Sequence, residues 1–383
     1  MIDIGRDRRS LLQVLINWKL MADARQKAWL QQPAPSWCKT AFVCIAFHTF
    51  YIGLPATLTL GPLALYLLFG APVAIGVILA YITGTCFLDG SFRPENRLGA
   101  PSRWCVNLGH WHWLFQYFPA RIVGDGALCD VDVGADGPLP PPPPTALDLG
   151  VDPEGLHIFV LHPHGTLAFH RAMFGFATKQ LWEKAFPDVK FRVLTATAAL
   201  LIPFIREWWL WSYCVDASRS VAQGVLEAGV SLCIYAGGEH EQMLTVRGKH
   251  RVYLPPKRNG FVRLALRNGA ALVPIYTFGE TDLYQHHSCC LGARMALMKK
   301  AAVAVPLISG VFGILPHRVP LTAVVGKPIM VTKVPVGLDL RKSEEGQKLV
   351  AELHAKYVAA LRELFDANKA ACGYANAELE VFE

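Results

Sequence analysis

Two imidazoles separated by a proline, His162-Pro163-His164-Gly165, follow directly on the apolar run Ile158-Phe159-Val160-Leu161. Histidine has the unperturbed pKa nearest neutrality, so an imidazole at a strand end can take a proton from a hydroxyl without carrying a standing charge. Pro163 restricts the backbone of the turn, and Gly165 admits close approach by a substrate or another chain segment. A helix beginning near Thr166 would set its positive end beside these rings and hold them neutral. Taken alone, the tetrapeptide also fits an ordinary polar turn. Two further segments sharpen the reading. Ile234-Tyr235-Ala236-Gly237-Gly238-Glu239-His240-Glu241 leaves an apolar run through paired glycines into acids, where amides and carboxyl groups can converge on a ligand. Arg258-Asn259-Gly260-Phe261 opens a longer block that passes Gly269 and Val273-Pro274 to Phe278-Gly279-Glu280.

These segments need elements to hold them. From about Leu156 short apolar runs alternate with helical patterns, which predicts an α/β core with a largely parallel sheet. Strands are expected at Leu156 to Leu161, Phe191 to Ala196, Val230 to Tyr235, Ala271 to Tyr276 and Leu321 to Val325. Ser218 is placed to cap a helix reaching Ala228, and Gly260 opens another to Asn268. The spacing of Leu349, Val350, Leu353, Tyr357, Leu361 and Leu364 predicts a C-terminal helix.

Composition sets the surroundings. Of 383 residues, 52% are hydrophobic and 17% charged, with positive mean hydropathy, too apolar for a typical soluble domain. From Thr40 to Leu88 there is no Asp, Glu, Lys or Arg, long enough for two spans of roughly 20 residues each. Pro55 and Gly61-Pro62 divide that run, suggesting a hairpin with both basic-flanked ends in the cytosol, and Gly70 and Pro72 would kink its second limb. No cleavable signal is expected before it. Leu11 to Leu30 read as a basic amphipathic helix, Trp111 to Pro119 as an interfacial aromatic stretch, and Pro138 to Pro144 as a polyproline spacer. Leu200 to Trp211 and Ala301 to Pro316 are too short to span and are expected to dip into one leaflet. The divisions are therefore 1–39, 40–88, 89–155 and 156–383, the last carrying the catalytic core. The ten scattered cysteines predict no disulfide framework, and His286-His287-Ser288-Cys289-Cys290 lacks the second ligand pair of a zinc site. A net charge of +7 suits phosphates or an anionic membrane face, and the arginines form no stripe for nucleic acid.

Tyr117-Phe118-Pro119, His162-Pro163-His164-Gly165, Gly237-Gly238 with Glu241, and Arg258-x-Gly260-Phe261 through Phe278-Gly279-Glu280 stand in an ordered set. In this the chain resembles the type-2 diacylglycerol acyltransferase family, from the apolar run to the C-terminal helix. The resemblance implies a glycerolphosphate-acyltransferase-like core and transfer of an acyl group from acyl-coenzyme A to diacylglycerol at the endoplasmic reticulum and lipid droplets. A related branch acylating monoacylglycerol or a fatty alcohol, or a silent lipid-droplet-binding protein, would share much of the pattern. Esterification by a thioester needs a base and a stabilised oxyanion. His164 is the expected base and His162 its partner, with Glu241, in preference to Glu280, fixing the imidazole tautomer. Amides beyond Gly165 or at Gly237 and Gly238 are candidate oxyanion donors. Arg258, with Lys257 and Arg263, would meet the coenzyme A phosphates, and Tyr117, Phe118, Pro119, Gly260, Phe261 and Glu280 complete the expected substrate-binding set. No cofactor or metal is implied beyond acyl-coenzyme A as co-substrate; the expected partners are diacylglycerol and membrane lipids, not nucleic acid, and a homo-oligomer is left open. The soluble relatives carry an aspartate five positions after their histidine, where this chain has Leu167 or Phe169. The region at Ser309-Gly310-Val311-Phe312-Gly313 also lacks the arginine frequent between glycines there.

Overall fold

The computed structural model describes residues 54–84, 99–106, 117–118, 120–125, 149–175, 181–200, 205–301, 304–311, 313 and 315–382. The expected amphipathic helix at 11–30, the aromatic residues 111–116 and the polyproline segment at 138–144 lie outside them, as do residues 40–53 of the apolar run.

A seven-stranded sheet is ordered β1-β10-β7-β2-β5-β3-β4. Its strands are β1 (Ala120–Gly124), β2 (His157–His162), β3 (Phe191–Thr195), β4 (Cys214–Asp216), β5 (Ser231–Ile234), β7 (Ala271–Phe278) and β10 (Leu321–Val325). Neighbours pair in parallel except at β10–β7, so β1 and β10 run against the other five. Two small sheets pair β6 (His250–Tyr253) with β11 (Leu379–Phe382) and β8 (Gln285–His286) with β9 (Ile308–Ser309). All five expected strands are present within two residues at each end.

Successive side chains of a strand face opposite ways, and β2 divides its residues accordingly between two cores. Ile158 and Val160 enter one, where Val225, Phe261, Tyr357 and Leu361 pack; Phe159 and Leu161 enter the other, with Phe174, Trp182 and Phe186. The helices used below are α1 (Leu54–Ile82), α2 (Arg171–Gly175), α3 (Thr197–Leu200), α4 (Ile205–Trp211), α5 (Arg219–Glu227), α6 (Gly238–Leu244), α7 (Gly260–Asn268) and α8 (Glu344–Asn368). α7 has the expected bounds and ends on Gly269 at φ 67°, a left-handed position that glycine takes without a Cβ clash. α8 starts at Ser343, whose hydroxyl accepts from the Gly346 amide.

α1 corrects one expectation. There is no turn at Gly61-Pro62: the helix runs through both, since Pro62 forfeits a single backbone bond without ending it. The break falls at Gly70 (φ 79°, ψ 169°), where Pro72 disfavours a regular helix just before it. Gly61–Tyr81 is long and apolar enough to cross a bilayer, with mean hydropathy 2.4 over its 18-residue window. Leu67, Leu68 and Phe69 are 71, 74 and 60% exposed, an apolar surface that water does not favour. The last turn of α1 is tied to the core, because the Tyr81 hydroxyl lies 3.1 and 3.2 Å from the two Glu207 carboxyl oxygens on α4.

Candidate active site

The three segments singled out in the sequence leave the carboxyl ends of adjacent parallel strands. His162 ends β2, Gly237-Gly238 follows β5, and Gly279-Glu280 follows β7. This is the edge of an open α/β sheet where loops converge on ligands.

His164 stands in the wall of a cavity of about 950 Å³. Its Nδ1 lies 3.1 Å from the Gly165 carbonyl oxygen, which can only accept. Nδ1 therefore carries the proton and Nε2 keeps its lone pair. Burial pushes this imidazole down to about 4, against the opposing effect of the Gly165 carbonyl. The expected helix at Thr166 is not there: residues 165–167 form a turn and α2 begins only at Arg171. Desolvation, rather than a helix end, keeps the ring neutral.

Neither Glu241 nor Glu280 forms a hydrogen bond or ion pair with the His164 ring. Glu241 instead accepts from the His164 backbone amide through Oε1 and, at 2.8 Å through Oε2, from the Tyr253 amide. Burial raises it to about 7, with both amide bonds pulling the other way. Gly237 is required here, since a Cβ would fall 2.0 Å from Glu241 Oε2. His162 faces away from His164, its Nε2 2.9 Å from the Tyr357 hydroxyl on α8, and burial brings it down to about 3.

Glu280 has a partner that sequence reasoning missed. Its Oε1 accepts from the Phe169 amide at 2.7 Å and its Oε2 from the His170 amide at 2.8 Å, while His170 Nδ1 lies 3.0 Å from the same Oε2. Gly165, at φ 61°, fits against this carboxyl group so closely that a Cβ would lie 2.6 Å from it. Glu241 thus holds one end of the His164 loop and Glu280 the other. Tyr235 lies between the two histidine rings, 5.1 Å from His164 and 5.1 Å from His170 by centroids. A pairing over 110 residues leaves no local spacing signal, which is why His170 was not found.

Other expected residues are spread more widely. Gly238, Gly260 and Phe261 line the cavity with His164, as does Arg263. The Gly238 amide is occupied, donating to the Tyr235 carbonyl at 3.2 Å. Tyr117 and Phe118 are buried outside the cavity wall: the Tyr117 hydroxyl donates to Pro316 and Phe118 packs on Phe169 at 4.9 Å. Pro119 and the Arg258 side chain lie outside the described residues, and Lys257 is exposed. His286 turns inward, its Nε2 against the Thr166 hydroxyl, while Cys289 and Cys290 are exposed.

If His164 is a base, its depressed pKa has a kinetic signature. Only the neutral imidazole accepts, so activity should fall as pH drops through its folded-state pKa. The acid limb of kcat/KM is expected near pH 4 instead of near the ordinary histidine value of about 6.5. A second inflection near pH 7 would belong to Glu241 and should vanish in Glu241→Gln. A limb near 6.5 surviving in that variant would remove His164 from the role.

Comparison with known proteins supplies independent findings. Residues 146–382 match the model of the family described as Diacylglycerol acyltransferase. Diacylglycerol O-acyltransferase 2A of Umbelopsis ramanniana is 27% identical over 348 residues, covering 87% of this chain and 84% of the relative. 2-Acylglycerol O-acyltransferase 3 of Homo sapiens is 31% identical over 294 residues, covering 73% and 76%. Acyl-CoA wax alcohol acyltransferase 2 of Mus musculus is 33% identical over 238 residues, covering 58% and 68%.

Proposed function

The chain belongs to the diacylglycerol acyltransferase family and is an acyl-CoA-dependent acyltransferase, and from that premise we propose that it acylates the free hydroxyl of diacylglycerol with His164 as general base. The observation that carries the reading is a neutral imidazole, its Nδ1 committed to Gly165, in the wall of a cavity large enough for a lipid-sized ligand.

The acceptor hydroxyl oxygen attacks the thioester carbonyl as His164 Nε2 takes its proton. A carbon–oxygen bond forms, and negative charge collects on the former carbonyl oxygen. Amides just beyond Gly165 are the favoured donors to it, since that of Gly238 is already engaged. Collapse of this intermediate breaks the carbon–sulfur bond, and the coenzyme A sulfur leaves with the proton that His164 had taken. Glu241 and Glu280 act through the backbone by holding the loop, and His162 serves the fold through Tyr357.

The same reading takes residues 156–383 as a glycerolphosphate-acyltransferase-like cytosolic domain and the apolar run at 40–88 as its anchor in the endoplasmic reticulum membrane, within reach of lipid droplets. The uncovered apolar side chains of Gly61–Tyr81 support an anchor. A second acceptor class is favoured by the similarity to a 2-acylglycerol and a wax alcohol acyltransferase at identities like those of the diacylglycerol enzymes.

The test uses the full chain in membranes of cells lacking neutral-lipid synthesis, with labelled oleoyl-coenzyme A and diacylglycerol, monoacylglycerol or fatty alcohol supplied separately. Triacylglycerol as the main product is expected. A wax ester or diacylglycerol would move the acceptor to the neighbouring branch, and no ester from any acceptor would overturn the reading.

A further inference from the structure

The cavity that holds His164 has a second chemical character on another part of its wall. Arg219 at the start of α5, Arg263 and Arg267 one turn apart on α7, and Arg341 in the turn before α8 all line it. Three separate elements therefore bring four guanidinium groups to one concavity. Like charges so placed repel one another unless an anion lies between them. Burial, and after it the Arg267 charge, pulls down the pKa of Arg263.

No acid among the described residues forms an ion pair with any of the four. Arg263 is directed to the Asn259 side-chain oxygen. Asp339, close enough for the Arg267 charge to act on it, accepts from the Arg341 and Lys342 amides instead. Arg171, a fifth arginine of the wall, is committed elsewhere: it lies 3.4 Å above the Trp209 ring and donates to Cys214 Sγ at 2.9 Å.

We propose that Arg219, Arg263, Arg267 and Arg341 bind the adenosine 3′,5′-bisphosphate end of acyl-coenzyme A, with Arg267 and Arg341 selecting the 3′-phosphate. The proposal rests on the acyl-coenzyme A reading above and adds where in the cavity the nucleotide lies. Guanidinium is the side chain suited to it, because its planar fork gives two parallel hydrogen bonds to phosphate oxygens. With the phosphates at the arginines, the pantetheine arm extends along the cavity and brings the thioester to His164. The same geometry assigns Arg263 a positioning role at the pyrophosphate, independently of the Arg258 side chain.

Arg267 and Arg341 are exposed, so their truncation leaves the core untouched. Two measurements on the full chain in detergent test the assignment. In the first, adenosine 3′,5′-bisphosphate is expected to bind about tenfold more tightly than adenosine 5′-monophosphate, and the Arg267→Ala/Arg341→Ala variant should lose that difference. In the second, the same variant should raise KM for oleoyl-coenzyme A about tenfold with kcat little changed, while KM for the 3′-dephospho analogue stays the same. Arg267→Lys/Arg341→Lys should restore part of the selectivity, as charge without the fork. Equal preference for the 3′-phosphate before and after truncation would overturn the proposal.

Running the binding measurement on His164→Ala separates the two readings. Bisphosphate binding there, without acyl transfer by the unaltered chain, would keep the phosphate site and reject the reaction. Acyl transfer by the unaltered chain without bisphosphate binding would reject the site and keep the reaction.

Discussion

His164→Ala should lower ester formation by about a thousandfold, a loss on the order of 4 kcal/mol of transition-state stabilisation. The size follows from the role proposed for the ring, a neutral acceptor in the cavity wall whose protonated nitrogen is already committed to Gly165. The fold should survive, because Glu241 grips this residue by its backbone amide, which alanine retains. Labelled triacylglycerol formation, measured beside the thermal midpoint and membrane yield of the variant, reads both halves. Turnover within a few-fold of the unaltered chain would exclude His164 as base. Lost turnover together with a collapsed thermal midpoint would show a structural role instead. His162→Ala should give that second pattern, because it orphans the buried Tyr357 hydroxyl and opens space in the core.

Glu280→Ala is the second large effect, and it acts on folding and turnover together. The substitution leaves the Phe169 and His170 amides and the His170 ring without the carboxyl group that faces all three. Each orphaned buried donor costs about 1–3 kcal/mol, so a total of about 3–5 kcal/mol is expected. Glu280→Gln should do less damage, since its remaining carbonyl can serve one amide. Thermal midpoints of the three proteins in detergent should rank unaltered, glutamine, alanine, and kcat should fall in the same order. An unchanged midpoint for Glu280→Ala would mean that the loop is held by other contacts.

The contrast between these two residues marks how far local sequence carries. β2, β5 and β7 are buried on both faces, so they read as short continuous apolar runs, and each locates a loop with chemical side chains. Ser218 and Gly260 likewise marked helix starts. β1 and β4 were not anticipated: five and three residues sit too close to aromatic or turn-forming neighbours for a period to emerge. The helix expected at Thr166 failed for a different reason. Glu280 takes the Phe169 and His170 amides from across the sheet, so the backbone can delay helix formation until Arg171 without leaving those donors unpaired. Glu241 was expected to orient the His164 ring, whereas it accepts from the His164 and Tyr253 main-chain amides, and no spacing distinguishes a contact to an amide from one to a ring.

On the proposed membrane reading, the Tyr81–Glu207 contact would fix a height. An unbroken 21-residue helix rises about 31 Å, close to the hydrocarbon thickness of a bilayer, and on that reading the Gly61–Tyr81 segment, broken at Gly70, would lie in that layer with Tyr81 near its polar boundary. Glu207 is fastened to that end, and Trp209, two residues further along α4, already belongs to the cavity wall. On that reading a lipid acceptor would keep its tails among other tails while its alcohol is esterified. On that reading the anchor would also serve as a depth gauge for the chemistry.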